Sequence, residues 1–174
     1  MFWIALVIVL ILALLAYAAS RPDQFRIERR TRINATADRI YPLLIDFHEW
    51  RKWSPWERLD PNLVRRHSGA AVGQGAIYEW EGNKKVGQGR MEIRKVVPPS
   101  NVVITIDFIE PWSAHNTAEF TLTPASHATD VAWAMYGPNL FMTKLMGIFV
   151  SMDKLIGKDF EQGLANLKAA AEEG

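Results

Sequence analysis

The sequence predicts an α+β domain that follows an N-terminal apolar helix and consists of an antiparallel β-sheet covered by one long C-terminal helix. Three observations support this class. Residues 1–20 contain no charged side chain, and the middle of the chain alternates apolar and polar residues between turn signals. From residue 139 to about 171, apolar residues recur at three- and four-residue spacing. The 174 residues leave room for one domain and an appendage.

Composition excludes several classes of function. The chain has 20 Lys and Arg residues against 19 Asp and Glu residues, for a formal charge of +1. A nucleic-acid-binding domain is usually clearly basic, so we expect no nucleic-acid partner. Cysteine is absent, which excludes disulfides, thiolate metal sites and cysteine nucleophiles.

The first element is a candidate membrane anchor. Residues 1–20 form about 30 Å of helix, roughly one hydrocarbon thickness, with Trp3 and Tyr17 near its ends. Five arginines follow within residues 21–32. The positive-inside rule therefore predicts a single-pass anchor with the domain, residues 24–174, on the cytoplasmic side. The alternative is a cleaved secretory signal and a secreted or periplasmic domain, because Ala16-Tyr17-Ala18 fits a cleavage site. The lack of Lys or Arg before the apolar run argues against cleavage.

The domain opens with a strand, "QFRIERRTRI", and two short helices. Thr36 can cap the first helix, and Pro42 is expected to kink or shorten it. The second helix leads into "WRKWSPWE", which carries three of the seven tryptophans. Pro55 prevents one continuous helical stripe of these rings. We expect one or two of them to pack as core, with Trp53 or Trp56 at the mouth of a cavity.

A run of strands follows. The stretches "GAIYEW", "VGQGRMEIRKVV", "NVVITIDFIE", "HNTAEFTLTP" and "TDVAWAMYG" are separated by glycine, proline and polar turn signals. Such a sheet has one face to cover, and the C-terminal helix is the only predicted element large enough to cover it. A curved sheet wrapped around a single helix commonly leaves space, so we expect an apolar cavity between the two.

Strand alternation predicts which side chains face this cavity, because alternate residues share a face. Asn116 is the candidate for orienting a ligand, and its alternative interpretation is an amide satisfied at a strand end. For the other side chains the alternative is ordinary core packing, and for the two glycines a bulge or twist point. The expected lining is Tyr78, Trp80, Gly87, Gly89, Met91, Ile106, Phe108, Asn116, Phe120, Trp133, Met135 and Phe149, with Trp53, Trp56 and Trp112 at the mouth.

No motif identifies a reaction. The chain lacks a nucleophile elbow, a zinc-protease helix, a phosphate-binding loop and a dinucleotide fingerprint. The four histidines lack paired ligand spacing, so we expect no metal and no cofactor. By alternation Glu79, Asp107 and Glu119 point outward, which leaves no assured general acid or base inside. Catalytic residues cannot be named from the sequence, and binding is favoured over catalysis.

Several stretches resemble one known group. The segments "WSPWERLDP", "GAIYEWEGN", "VGQGRMEI", "AHNTAEFTL", "VAWAMYGP" and "MDKLIGKDFEQGL" resemble the START/Bet-v-like helix-grip superfamily (SRPBCC), and within it the polyketide cyclase/dehydrase and lipid transport group. The resemblance covers residues 24–172. It implies the helix-grip fold, with a deep apolar cavity that holds lipids, sterols, polyketides or similar molecules. It does not imply one activity, because the fold serves carriers, cyclases and co-chaperones.

The leading hypothesis is a membrane-anchored binding domain for a hydrophobic small molecule, such as a lipid or polyketide. The first alternative is a cyclase- or dehydratase-type enzyme that acts on a membrane-partitioned substrate. The second is a co-chaperone-like module whose groove receives an apolar segment of a protein. The apolar stretch "NLFMTKLMGIFV" is also expected to suit contact with a membrane.

Overall fold

The computed structural model describes residues 2–111 and 113–173. The expected mouth residue Trp112 therefore lies outside the described residues. In chain order the elements are α1 (Phe2–Ala19), β1 (Gln24–Ile33), α2 (Ala37–Ile45), α3 (Trp50–Trp53), a 3-10 turn (Pro55–Arg58), β2 (Val64–Gly69), β3 (Ala76–Glu81), β4 (Gln88–Val97), β5 (Asn101–Glu110), β6 (Ala114–Ala125), β7 (Ala128–Pro138), α4 (Phe141–Met146) and α5 (Met152–Glu173).

The strands form one antiparallel sheet in the order β1-β7-β6-β5-β4-β3-β2. Neighbours along this order are neighbours in sequence, except that β1 returns to pair with β7. The predicted class, a curved antiparallel sheet with a long C-terminal helix, is confirmed. Strand β2 was not predicted, because "VRRHSG" lacks apolar alternation. It is an edge strand whose ladder is made with β3.

The helices differ from the prediction at one point. Helix α2 ends at Ile45 as predicted and is not cut short at Pro42. The predicted single C-terminal helix is divided into α4 and α5 by a turn at residues 147–151. In that turn the N–H of Gly147 donates to the backbone carbonyl of Thr143 at 2.8 Å, and the N–H of Phe149 donates to that of Met146 at 3.0 Å. The apolar spacing continues through this turn, so periodicity alone cannot detect it.

Helix α5 is held against the sheet through β1. Its buried residues Phe160, Leu164 and Leu167 join the main hydrophobic core. On its first turns, Arg29 of β1 pairs with Asp153 at 3.0 Å and with a second α5 carboxylate. The backbone neighbours closest to α5 are β1, α2, α3 and the 3-10 turn. The buried residues of α5 therefore run from Gly157 to Ala171, whereas its first turn, residues 152–155, is exposed.

Helix α1 extends from the domain with its apolar side chains mostly exposed. It has a mean hydropathy of 2.8 over 18 residues, and among the described residues it is the helix long and apolar enough to cross a membrane. Both a membrane span and a signal sequence fit these properties. It contacts α4, and Ala18 in its last turn is fully buried. The link after it is fixed by the ion pair of Lys144 with Asp23 at 2.5 Å.

Candidate functional site

Stacked aromatic rings fill the concave side of the sheet beneath the middle of α5. Trp133 of β7 lies face to face with Phe160 of α5, with ring centroids 4.0 Å apart and planes 6° from parallel. Trp53 and Trp56 meet the same indole edge-on at 5.5 and 5.7 Å. A side chain at Gly163 would clash with Trp133, so this glycine allows close approach. Sheet and helix are in direct ring contact here.

The three corner tryptophans are mainly core residues. Trp50 and Trp53 are buried, and their indole N–H groups donate to the carbonyls of Leu44 at 3.2 Å and Leu43 at 2.9 Å. Trp56 is only partly buried. We expected Trp53 at the cavity mouth, but it lies inside the core. Its indole N–H donates to a carbonyl of α2, which holds the ring there. Trp56 is nearer the surface.

The aromatic lining continues along β3 and β5. Tyr78 and Trp80 stack at 6.1 Å, and Trp80 meets Phe108 edge-on at 6.0 Å. Asn116 is buried at 7% exposure, whereas its neighbour His115 is exposed and contacts Asp107. The buried members of the expected lining are Tyr78, Trp80, Gly87, Gly89, Met91, Ile106, Asn116, Phe120, Trp133 and Met135, with Phe108 partly buried. That they contact a ligand stays a prediction.

Gly87, which directly precedes β4, serves backbone geometry, and Gly89 of β4 serves ring packing. Gly87 has φ +68° and approaches the carbonyl of Glu110 too closely for a side chain. The register of β4 shifts directly after it, between Gln88 and Gly89. At Gly89, the ring of Trp80 occupies the volume that a side chain would take. The bulge interpretation therefore applies, and these glycines do not enlarge the interior.

Phe149 is the expected lining residue that lies elsewhere. It is 72% exposed, on the turn between α4 and α5. The expectation extended the periodicity of α5 backward through residues 147–151. Because the helix is interrupted there, residues before the break do not share the inward face of α5.

A buried ionic cluster adjoins the aromatic lining. The side chain of Glu57 is 7% exposed and that of Arg65 is 19% exposed. One Glu57 oxygen accepts a bond from Arg65 Nε at 2.6 Å, and the other accepts the Tyr78 hydroxyl at 2.5 Å. Burial, followed by the Glu57 carboxylate, raises the pKa of Tyr78 well above its ordinary value. Tyr78 is thus a neutral hydrogen-bond donor to an interior carboxylate.

Sequence reasoning missed this cluster. We expected the charges around the tryptophans to form a wet outer face. Instead the 3-10 turn that follows Pro55 turns Glu57 inward, where Arg65 from the unpredicted strand β2 meets it. The partial signal was Glu57 next to two tryptophans, but a charge beside an aromatic residue is usually exposed.

Strand β2 also brings two histidines together. The rings of His48 and His67 stack at 4.0 Å, and His48 Nδ1 lies 2.9 Å from Asp46 Oδ1. With Phe47 and others they line a surface cavity of about 120 Å³. Sites for drug-sized molecules are usually several hundred cubic ångströms, so this cavity does not fit a lipid or polyketide. Within residues 2–111 and 113–173, no cluster of three or more metal-binding side chains occurs.

Comparison with solved structures finds the same fold in distant relatives. Aha1 from Colwellia psychrerythraea has a TM-score of 0.57 and 18% identity, over 85% of this chain and 96% of that chain. Ara h 8.0201 has a TM-score of 0.56 and 10% identity, over 86% and 96%. An uncharacterized protein from Rhizobium leguminosarum reaches a TM-score of 0.63 at 11% identity, over 87% and 96%. These identities show the fold alone.

Sequence comparison assigns the family. Among curated protein sequences, none matches this chain significantly. The family model described as "Polyketide cyclase / dehydrase and lipid transport" matches residues 24–172, which is the whole domain after α1. The chain therefore belongs to the polyketide cyclase/dehydrase and lipid transport family.

Proposed function

We propose that this protein is a membrane-anchored binding domain that holds one hydrophobic small molecule against the concave face of its sheet. The observation that carries the proposal is the indole N–H of Trp133. It is buried in the ring cluster and has no hydrogen-bond partner among the described residues. A buried donor without a partner costs about 1–3 kcal/mol. A ligand carbonyl or hydroxyl at this point removes that cost.

The inner face supports the same conclusion. Aromatic and aliphatic side chains of β3–β6 surround two polar groups, the Asn116 amide and the Tyr78 hydroxyl. A mostly apolar wall with few polar groups is the usual composition of a small-molecule site. The family description, which names lipid transport, also favours hydrophobic ligands.

Binding requires some of the stacked rings to separate. The Trp133–Phe160 pair lies beneath the middle of α5, where the helix is buried. The first turn of α5 is looser, because Leu155 is 60% exposed and Ile156 is only partly buried. In this proposal the first turn of α5 moves outward, which breaks the ion pair of Asp153 with Arg29, and the ligand enters beside Trp80 and Phe108.

The anchor restricts where the protein works. Only residues 20–23 separate α1 from β1, and they are fixed to α4 by Asp23 and Lys144. Such a short link prevents free diffusion between membranes. We therefore place the domain at the surface of one membrane, on the cytoplasmic side by the positive-inside rule, where it takes up or presents an amphiphile locally.

Native mass spectrometry of the full chain, released from detergent, tests this proposal. We expect one adduct of defined mass per chain. The variant Trp133→Phe keeps an aromatic ring against Phe160 but removes the N–H, and should lower occupancy about fivefold, as expected for one lost hydrogen bond. Trp50→Phe is the matched control, because its N–H already bonds Leu44 and lies outside the proposed contact. No adduct in the wild type, even after addition of oleic acid, would refute the proposal.

One observation favours a second candidate function, catalysis on the bound molecule. An ionisable group inside the domain is the minimum requirement for acid–base chemistry, and Glu57 with Tyr78 supplies it. The variants Glu57→Gln and Tyr78→Phe test this candidate. An enzyme accumulates unreacted ligand of a different mass in these variants, whereas a binding protein carries the same molecule as the wild type.

A further inference from the structure

The segment around the α4–α5 turn exposes several large apolar side chains. Six side chains there are between 50% and 72% exposed, although all are large and apolar. Soluble proteins rarely leave such patches uncovered, and a large patch usually marks an interface. We name this patch the α4–α5 apolar surface, and its residues are Leu140, Met142, Met146, Phe149, Val150 and Leu155.

The charge pattern of this segment suits lipid. Residues 139–152 contain a single charged residue, Lys144. Its side chain is 7% exposed, and its ammonium group pairs with the exposed Asp23 at 2.5 Å. The next acidic residue, Asp153, is engaged by Arg29 of β1. Insertion of residues 139–152 into an apolar medium therefore transfers no unpaired charge, and the exposed Lys154 beside Leu155 extends its ammonium group toward the headgroups.

The surface is continuous with α1. Helix α1 contacts α4, and Ala18 in the last turn of α1 is fully buried. Behind it, Asn139 binds the connecting link twice, to the carbonyl of Asp23 at 2.8 Å and to that of Pro22 at 3.0 Å. Whatever surrounds the C-terminal end of α1 therefore also reaches α4.

At that same end of α1 stand groups typical of a membrane interface. The ring of Tyr17 carries the guanidinium of Arg21 above it at 5.7 Å. Aromatic and basic side chains concentrate at headgroup level. The polar–apolar boundary marked by this pair thus lies beside α4, at the level where an interfacial helix rests.

We propose that the α4–α5 apolar surface inserts into the headgroup–acyl boundary of the leaflet from which α1 emerges. This inference rests on the anchor in the proposed function. Two contacts, α1 and this surface, then fix the orientation of the domain. They direct the exposed first turn of α5 toward the lipid. A hydrophobic ligand passes between bilayer and domain at that point without crossing water.

The absence of cysteine makes a site-specific test simple. Single variants Phe149→Cys on the surface, Leu10→Cys in α1 and His127→Cys in the β6–β7 turn are labelled with a bimane fluorophore in the full chain. His127 is the matched control, because it is exposed and lies at the opposite end of β7 from α4. The chains are reconstituted in phosphatidylcholine–phosphatidylglycerol vesicles that contain nitroxide-labelled lipids.

We expect the label at residue 149 to be quenched to within about a factor of two of the label at residue 10, and the label at 127 to remain unquenched. Quenching at 10 but not at 149 overturns the inference and leaves the anchor intact. No quenching at either site shows that the anchor itself is wrong. A label at 149 that is protected from aqueous iodide but unquenched by lipid shows that a second copy covers the surface, which also overturns the inference.

Discussion

Replacement of Tyr78 by phenylalanine measures how much the buried ionic cluster contributes to the free energy of unfolding. The ring and its stacking on Trp80 remain, and only the hydroxyl that donates to Glu57 at 2.5 Å is removed. The carboxylate keeps its bond from Arg65 at 2.6 Å but loses one donor in a position that water reaches poorly. The lost contact is therefore a hydrogen bond to a charged acceptor with little compensation.

The expected loss follows from that chemistry. Hydrogen bonds to charged groups contribute about 1.5–3 kcal/mol, and for a domain of this size each kcal/mol shifts Tm by about 2–4 °C. Tyr78→Phe should therefore lower the free energy of unfolding by about 2 kcal/mol and Tm by about 4–8 °C. The measurement is chemical and thermal unfolding of the full chain in mild detergent. Tyr17→Phe is the control, because that phenol is exposed on α1.

The same variant changes the dependence of stability on pH. The pKa of Tyr78 in the folded state is raised above its ordinary value of 10.0, so above pH 10 the unfolded chain releases this proton before the folded chain does. Its contribution is fully present below pH 10 and is lost as pH rises, by up to about 1.4 kcal/mol per pH unit. Tyr41 and Tyr136, whose pKa values burial also raises, contribute in the same direction. Tyr78→Phe should remove the contribution of Tyr78 to the slope of the free energy of unfolding against pH. An unchanged slope and an unchanged Tm would refute the assigned cluster.

Three further predictions concern packing and titration. Gly87→Ala should lower the free energy of unfolding by about 2 kcal/mol or more, because φ is +68° and a backbone carbonyl blocks the new methyl group. Gly73→Ala, at φ +76° in open space, should lower it by about 1 kcal/mol. Equal losses in urea titrations would contradict this difference. Phe160→Ala should cost about 3–5 kcal/mol in the same assay, since the ring stacked on Trp133 at 4.0 Å leaves a cavity; a loss below about 1 kcal/mol would show that the rings are not packed. Burial lowers the pKa of His67 below 6.5, so the unfolded chain protonates this imidazole more readily than the folded chain does. The free energy of unfolding should therefore fall as pH drops below 6.5, and His67→Phe should reduce that fall. An identical pH profile in the wild type and the variant would exclude a contribution from His67.

The inward face was predictable from sequence for a local reason. In a strand the side-chain direction repeats every two residues, so the neighbours of one buried residue are assigned at once. Asn116 and Trp133 are buried while His115 is exposed, as this rule requires. That rule cannot distinguish a residue that lines a cavity from one that packs in the core, because both follow the same alternation. Ring contacts such as Trp133 with Phe160 depend on how α5 approaches the sheet.

The sequence by itself determined the apolar N-terminal helix, the antiparallel strands other than β2, the helical C-terminus and the family, because each depends on local period or on a motif within one stretch of chain. Tertiary structure alone decided the burial of Glu57, the pairing of His48 with His67 and the exposure of Phe149. The first two depend on β2, an edge strand held by backbone bonds to β3, which leave no apolar pattern in its sequence. The third depends on the break at residues 147–151, where helical spacing continues although the helix does not. In each case the deciding contacts join residues that are distant in sequence or are made by the backbone, and neither is encoded in side-chain periodicity.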